Sequence, residues 1–399
     1  MSRRTVPRRV LPLIVLAQFA GTSLWFAANA VMPDLQQAWG LPATAVGTLT
    51  SAVQLGFVAG TLVFALLMVA DRYSPSRVFM VCALLGALAN AATVGVDGSF
   101  GTLLALRFAV GFLLAGIYPV GMKIAASWYR ERLGAVLGVL IGALILGTAL
   151  PHGLRALAGE GVVGAVLPSW QHVVLGVSLL AALGGLATGL LVPDSPWLQR
   201  SARVTPQALR LIWTDRQLRA SVFGYFGHMW ELYTFFVLVP TIVGLRWAGT
   251  AQSAASFFII AAGVIGCVGG GLLVRRWGSA RVAQVQLATS AACCLLAPLM
   301  LQLPDALFMA WLLVWGLTVS GDSPQFSTLT AQNAPPALVG SVLTFVNCLG
   351  FAISVLSIEL FVTALPHLPL ALLLPLLGLG PIGGLWMFRP LSRQRPQRG

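Results

Sequence analysis

Apolar runs of about 20 residues recur along the whole chain, the length an α-helix needs to cross a bilayer. Short turns bearing arginine separate them. Of 399 residues, 58% are hydrophobic and only 9% are charged, with a mean hydropathy of +0.88. A soluble globular domain carries about 25% charged residues. The expected fold class is therefore an all-α polytopic membrane protein, not a soluble enzyme.

The runs place twelve spans at 11–32, 43–70, 78–96, 100–127, 133–152, 172–192, 219–244, 252–274, 282–303, 306–330, 338–364 and 368–388. The first run follows Ser-Arg-Arg-Thr-Val-Pro-Arg-Arg and superficially resembles a signal peptide. It is too long for a signal-peptide core and is read as a retained first span. The longest interruption, 193–218, opens around Val-Pro-Asp-Ser-Pro and has the composition of a cytoplasmic linker. It would join an N-terminal six-helix bundle, 1–192, to a C-terminal one, 219–399, that ends in a short basic tail.

Charge tests this topology. An even number of spans puts both termini on one side. If that side is cytoplasmic, inside segments hold Arg3, Arg4, Arg8, Arg9, Arg72, Arg77, Arg130, Arg132, Arg200, Arg203, Arg210, Arg216, Arg219, Arg275, Arg276, Arg281, Arg389, Arg393, Arg395 and Arg398. Outside segments hold only Arg155 and Arg246, a bias of 20 to 2. Positive charge concentrates on the cytoplasmic side of membrane proteins. The net charge of +13 is thereby explained without nucleic acid. Outside loops carry Asp34, Asp97, Glu160 and Asp305. The expected location is a bacterial inner membrane, with both termini cytoplasmic.

The chain also repeats itself. Leu67 to Val78 and Gly271 to Val282 align at an offset of 204, with Arg72 on Arg276, Tyr73 on Trp277, Arg77 on Arg281 and Val78 on Val282. At 205, Gly111 falls on Gly316, Gly116 on Gly321 and Pro119 on Pro324; at 207, Phe19 falls on Phe226 and Pro33 on Pro240. Matches in one order at nearly one offset indicate two copies of a six-span unit.

Six plus six spans in parallel repeat, joined by a basic linker, resemble the major facilitator superfamily. Asp71, Arg72 and Arg77 match the superfamily's loop between spans two and three, Gly-x-x-x-Asp-Arg-x-Gly-x-x-Arg. Leu67 and Ser74 depart from its glycines; in the second copy Gly271 and Gly278 fit, but Arg275 replaces the acid. Arg107, with Gly111 after it, looks like the superfamily's membrane arginine. The drug antiporters' Gly-Pro pair in span five is absent, since Ala143 follows Gly142. A broad likeness to the nitrate/nitrite and cyanate porter-like branch comes through the short linker and the polar seventh span. The resemblance implies a solute site near the midplane, rocking halves and a monomer. It also implies a gating turn whose Asp71 carboxylate packs near the opposite half, with Arg72, Arg77, Arg276 and Arg281.

Charges inside spans are costly and are functional candidates by default. They are Arg107 and Lys123 in span four, His228 and Glu231 in span seven, Asp322 in span ten and Glu359 in span eleven; Lys123 is the only lysine. His228 and Glu231 stand at i, i+3 on one helix face. A buried Glu beside an imidazole can carry a proton; alternatively both are structural, His228 bonded to a carbonyl and Glu231 to an arginine or hydroxyl. Asp322 lies where Gly321 and Pro324 break the helix and either joins the proton path or caps the next turn. Arg107 either binds an anionic solute or pairs within the protein. Lys123 can snorkel toward the interface. Asn29, Gln54, Tyr118, Tyr233, Asn347 and Gln325 are polar at cavity depth and are candidate solute ligands or interhelical contacts. Trp25, Trp230 and Trp315 could line the same space. Gly134, Gly138 and Gly142 in span five would let another helix approach.

The five cysteines lie inside apolar runs, and no metal, redox or catalytic pattern accompanies them, so no cofactor and no enzyme activity are expected. The expected function is alternating-access transport of a small polar or anionic organic solute with protons. Proton-driven export of hydrophobic compounds and uncoupled facilitation are the alternatives.

Overall fold

The computed structural model describes residues 6–129, 133–158, 169–198 and 204–392. Among the residues discussed above, Arg3, Arg4, Arg130, Arg132, Glu160, Arg200, Arg203, Arg393, Arg395 and Arg398 lie outside this set. Membrane-buried backbone must satisfy its own polar groups, and a helix does so within one segment. The described residues accordingly form helices joined by short turns, with no strand among them.

Eleven helices are long and apolar enough to cross a membrane. The twelfth, span one, is shorter because it breaks: Val10–Thr22 is followed by Ala27–Ala30 and Met32–Trp39. Spans two and three are Ala45–Leu66 and Pro75–Ala91. Span four is Phe100–Leu114 continued by Tyr118–Trp128; spans five and six are Leu133–Ala158 and Ser169–Leu191. Spans seven to nine are Arg216–Val243, Gly249–Trp277 and Ser279–Met300. Span ten is Asp305–Gly321 plus Ser323–Asn333, span eleven Val339–Ala364, and span twelve Leu370–Leu377 plus Leu379–Ser392.

Several boundaries differ from the sequence reading for local reasons. Span two stops at Leu66, because Met68 adopts a left-handed φ of 53° before the short helix Val69–Arg72. Span seven begins at Arg216, because Asp215 caps it: its carboxylate accepts from Gln217 N at 2.9 Å and Leu218 N at 2.8 Å. The interhelical segment also holds a helix, Gln207–Thr214, which buries Ala208 and Ile212.

The repeat is visible in the packing. Spans one and five pack together, as do seven and eleven; two with four, as eight with ten; three with six, as nine with twelve. The two halves meet where span five lies along span eight and span two along span eleven. Spans four and ten break at the same repeat position, before Pro119 and Pro324. Pro33 and Pro240 behave differently: Pro33 opens a helix after the break in span one, whereas Pro240 sits inside a continuous span seven.

Gly111 and Gly316 show why the copies kept glycine. A Cβ on Gly111 would stand 2.0 Å from Val53 O, and one on Gly316 would stand 2.0 Å from Ile259 O. Spans two and four, and spans eight and ten, touch backbone to backbone there. The stripe in span five is used in part. A Cβ on Gly138 would meet Cys267 O at 3.6 Å and one on Gly142 would meet Val264 and Val268, while Gly134 faces nothing within 4 Å.

Gly111→Leu should cost at least about 1–3 kcal/mol through overpacking, whereas Gly134→Leu should not. Thermal unfolding of both purified variants in detergent tests this, and equal melting of the two would contradict the backbone contact.

Candidate functional site

Two polar groups and one aromatic cluster occupy the interior at mid-length of the spans. In the N-terminal half, Arg107 is 1% exposed. Its guanidinium donates to Leu24 O at 3.0 Å, Trp25 O at 2.6 Å and Asn90 Oδ1 at 3.0 Å. Leu24 and Trp25 lie in the break of span one, where the backbone departs from α-helix. The arginine therefore ties span four to span three and to the interrupted backbone of span one. Its Nε has no partner, and no carboxylate pairs with it among the described residues. Arg107 was a candidate direct ligand of the solute; most of its donors are instead committed to protein oxygens.

In the C-terminal half, His228 and Asp322 are fully buried, with His228 Nδ1 2.7 Å from Asp322 Oδ1. The contact is one of distance: none of the four polar atoms, Nδ1 and Nε2 of His228 and both carboxylate oxygens of Asp322, has a partner in hydrogen-bond geometry among the described residues. Glu231, also buried, accepts three donors on one oxygen: Ser290 Oγ, Trp315 Nε1 at 2.6 Å and Cys294 Sγ at 3.2 Å. Its Oε2 has no partner. The sequence reading set His228 beside Glu231 on one helix face. The tertiary structure instead pairs the imidazole with Asp322 of span ten and the glutamate with spans nine and ten. Asp322 stands at the head of Ser323–Asn333 but makes no side-chain cap, so the capping alternative is not realised. Gln325 is buried one turn on, its N–H bonded to Asp322 O at 3.0 Å.

Between these groups lie five rings from five spans: Trp25, Phe57, Tyr118, Tyr233 and Phe351. Trp25 stacks across the two halves on Tyr233 at 5.8 Å and on Phe351 at 5.4 Å. Phe57 contacts Phe351 at 4.5 Å, Trp25 at 4.9 Å and Tyr118 at 6.3 Å. Tyr118 and Tyr233 thus fall in one cluster. Trp230 is elsewhere, edge-on to Phe361.

The remaining candidates divide. Asn29 donates to Thr50 Oγ1 at 2.7 Å and Asn347 accepts from Tyr225 OH at 3.2 Å. Gln54 is fully buried, with neither amide atom partnered. It shares one face of span two with Gly47, Ser51, Val58 and Thr61, spaced four, three, four and three residues apart. That face meets span eleven, where Gly47 packs on Val362 and Val58 O lies 3.9 Å from Cys348 Sγ. Ser51 Oγ and Thr61 Oγ1 are likewise buried and unpartnered.

At the end bearing the termini, Lys123 Nζ lies 2.5 Å from Asp71 Oδ1. The resemblance placed this carboxylate near the opposite half; the pair it forms here is with span four of its own half. Arg72, Arg77, Arg276 and Arg281 are exposed there, Arg281 lying 5.9 Å from the Trp277 ring centroid. At the opposite end Arg155 of span five binds Asp34 at 2.9 Å and Ser253 of span eight at 3.3 Å, and Arg246 binds Asp305 at 3.2 Å. Glu359 is half-buried one turn from the end of span eleven. Among the described residues no group of His, Cys, Asp and Glu could hold a metal ion.

A twelve-helix bundle of two repeated halves, with buried charges at their centre, defines a membrane transporter rather than an enzyme. The sequence matches the profile of the Major Facilitator Superfamily over residues 14–358, and the chain belongs to that family. It is 28% identical over 346 residues to a probable transporter of Streptomyces coelicolor, covering 82% of this chain and 76% of that one. It is 30% identical over 201 residues to the 4-hydroxybenzoate transporter PcaK of Pseudomonas putida, covering 49% of this chain and 40% of that one. Among solved structures it resembles the proton:xylose symporter XylE bound to 6-bromo-6-deoxy-D-glucose. That TM-score is 0.76 at 12% identity, with 96% of both chains covered. A bacterial homologue of the human lysosomal transporter Spinster, inward-facing and occupied, gives 0.69 at 14%, over 96% of this chain and 95% of that one.

Sequence reasoning missed Asn90, Ser290 and Cys294 as partners of the buried charges. Asn90, a lone amide in an apolar span, could have been suspected; a serine and a cysteine in a span give no such signal.

Arg107→Met should lower the melting temperature by several degrees, since it strands the carbonyls of Leu24 and Trp25, each costing about 1–3 kcal/mol. Arg107→Lys should restore part of that, because a single ammonium nitrogen cannot stand where both Nη1 and Nη2 do. Melting of the three proteins in detergent measures it.

Proposed function

We propose that this protein is a secondary transporter that moves a small polar or anionic organic solute together with a proton. It works by alternating access, from a site between the halves. The observation that carries the coupling is the buried contact of His228 with Asp322 at the break in span ten. Two titratable groups 2.7 Å apart, each with a free polar atom, can take up and release a proton as the surroundings change. Glu231 is a second holder: a proton on Oε2 would leave the three donors on Oε1 undisturbed.

Coupling suits an anion. Moving one charge against a membrane potential costs about 2.3 kcal/mol per 100 mV, and a proton travelling with the anion cancels it. XylE is named a proton:xylose symporter, and PcaK is named a 4-hydroxybenzoate transporter. The excess of arginine at the end bearing the termini supports an inner-membrane protein with that end in the cytoplasm. There the Asp71–Lys123 pair would act with Arg72 and Arg77 in gating, and Arg276 and Arg281 in the second copy.

Proteoliposomes with a pH dye inside test the coupling when organic acids are added outside. Acidification faster than in protein-free liposomes is expected. Asp322→Asn should abolish that excess while solute counterflow survives. Undiminished proton uptake by Asp322→Asn would refute the assignment.

A further inference from the structure

The seam between the halves carries more information about the solute than the proton site does. Trp25 lies at its centre, fully buried, stacked across the interface on Tyr233 and Phe351 at interplanar angles of 16° and 23°. These contacts join one half to the other, so they must part when the halves rock. Separation exposes flat π-faces, and a planar ring inserted between them restores the stacking.

On the two spans that supply Trp25 and Phe57, several neutral polar groups are buried and unpaired among the described residues. The Trp25 indole N–H has no acceptor, the Gln54 amide has neither donor nor acceptor satisfied, and Ser51 Oγ is free among the described residues. Buried polar groups are ordinarily paired, so these donors lack something to bind. Arg107 adds charge without contact. Its guanidinium bonds the carbonyl of Trp25 itself, and no carboxylate of the protein neutralises it among the described residues. A buried, uncompensated cation favours a nearby anion.

We propose that the transported solutes are small aromatic carboxylates. The ring inserts against Trp25, Tyr233 and Phe351. The carboxylate is held by the neutral donors of Trp25 and Gln54, in the field of Arg107. This rests on the transport reading above and adds the solute class to it. Arg107 is a positioning residue here: it holds the Trp25 segment and supplies the field.

The test is counterflow of radiolabelled benzoate in proteoliposomes at pH 8, with protein-free liposomes subtracted. Unlabelled benzoate and cyclohexanecarboxylate compete; the two have like size and charge, but only one has a π-face. Benzoate should compete at least about tenfold better, and Phe351→Leu, which keeps the bulk but not the ring, should cut that preference to about twofold. Gln54→Leu should weaken both competitors alike while leaving their ratio unchanged. Equal competition in the wild-type protein, a preference that survives Phe351→Leu, or no benzoate counterflow would overturn the proposal. Proton uptake driven by a non-aromatic acid would refute the solute class and leave proton coupling standing. Benzoate counterflow without proton uptake would do the reverse.

Discussion

Arg107 meets a need created by the membrane itself. Inside lipid every carbonyl released from a helix must find a donor within the protein. Span one gives up helical geometry around Ser23–Phe26, and two of its carbonyls are taken by the guanidinium of span four. One side chain thus compensates the break, fixes Trp25 in the middle of the bundle and places a positive charge behind it. The stacking of Trp25 on the second half depends on that segment being held.

Duplication supplied the scaffold, and divergence supplied the chemistry. The helix pairs repeat, and the glycines that seat spans two on four and eight on ten sit at matching positions. The buried charges do not repeat. The first half holds a cation bound to carbonyls; the second holds an imidazole, two carboxylates and their hydroxyl, indole and thiol donors. The repeated frame therefore carries a different set of buried polar groups in each half.

Much of the fold was legible in the sequence. Twelve apolar runs, the arginine bias and offsets near 205 residues follow from lipid thickness, membrane charge asymmetry and gene-level repetition, and each leaves a linear trace. The break at Pro324 was legible from Gly321 and the proline, and the repeat aligned Pro119 with it. Legibility declined at the site. Glu231 and His228 were found because charge in a span is rare, and the hydroxyl alternative for Glu231 is met by Ser290, but Asp322 was not foreseen as the neighbour of His228, since i, i+3 spacing describes one helix and both side chains reach others. Phe57 and Phe351 passed unnoticed, because a phenylalanine in an apolar run looks like any packing residue.

The sequence by itself determined the class of molecule, the number of spans and which rare polar residues enter the membrane, because burial in lipid constrains composition residue by residue. Only the tertiary structure decided that Arg107 clamps span one, that His228 turns to Asp322, that Lys123 meets Asp71, and that five rings converge across the seam. These are contacts between helices distant in sequence. Side-chain direction, helix rotation and backbone breaks set them, and none of these is encoded by spacing along one chain.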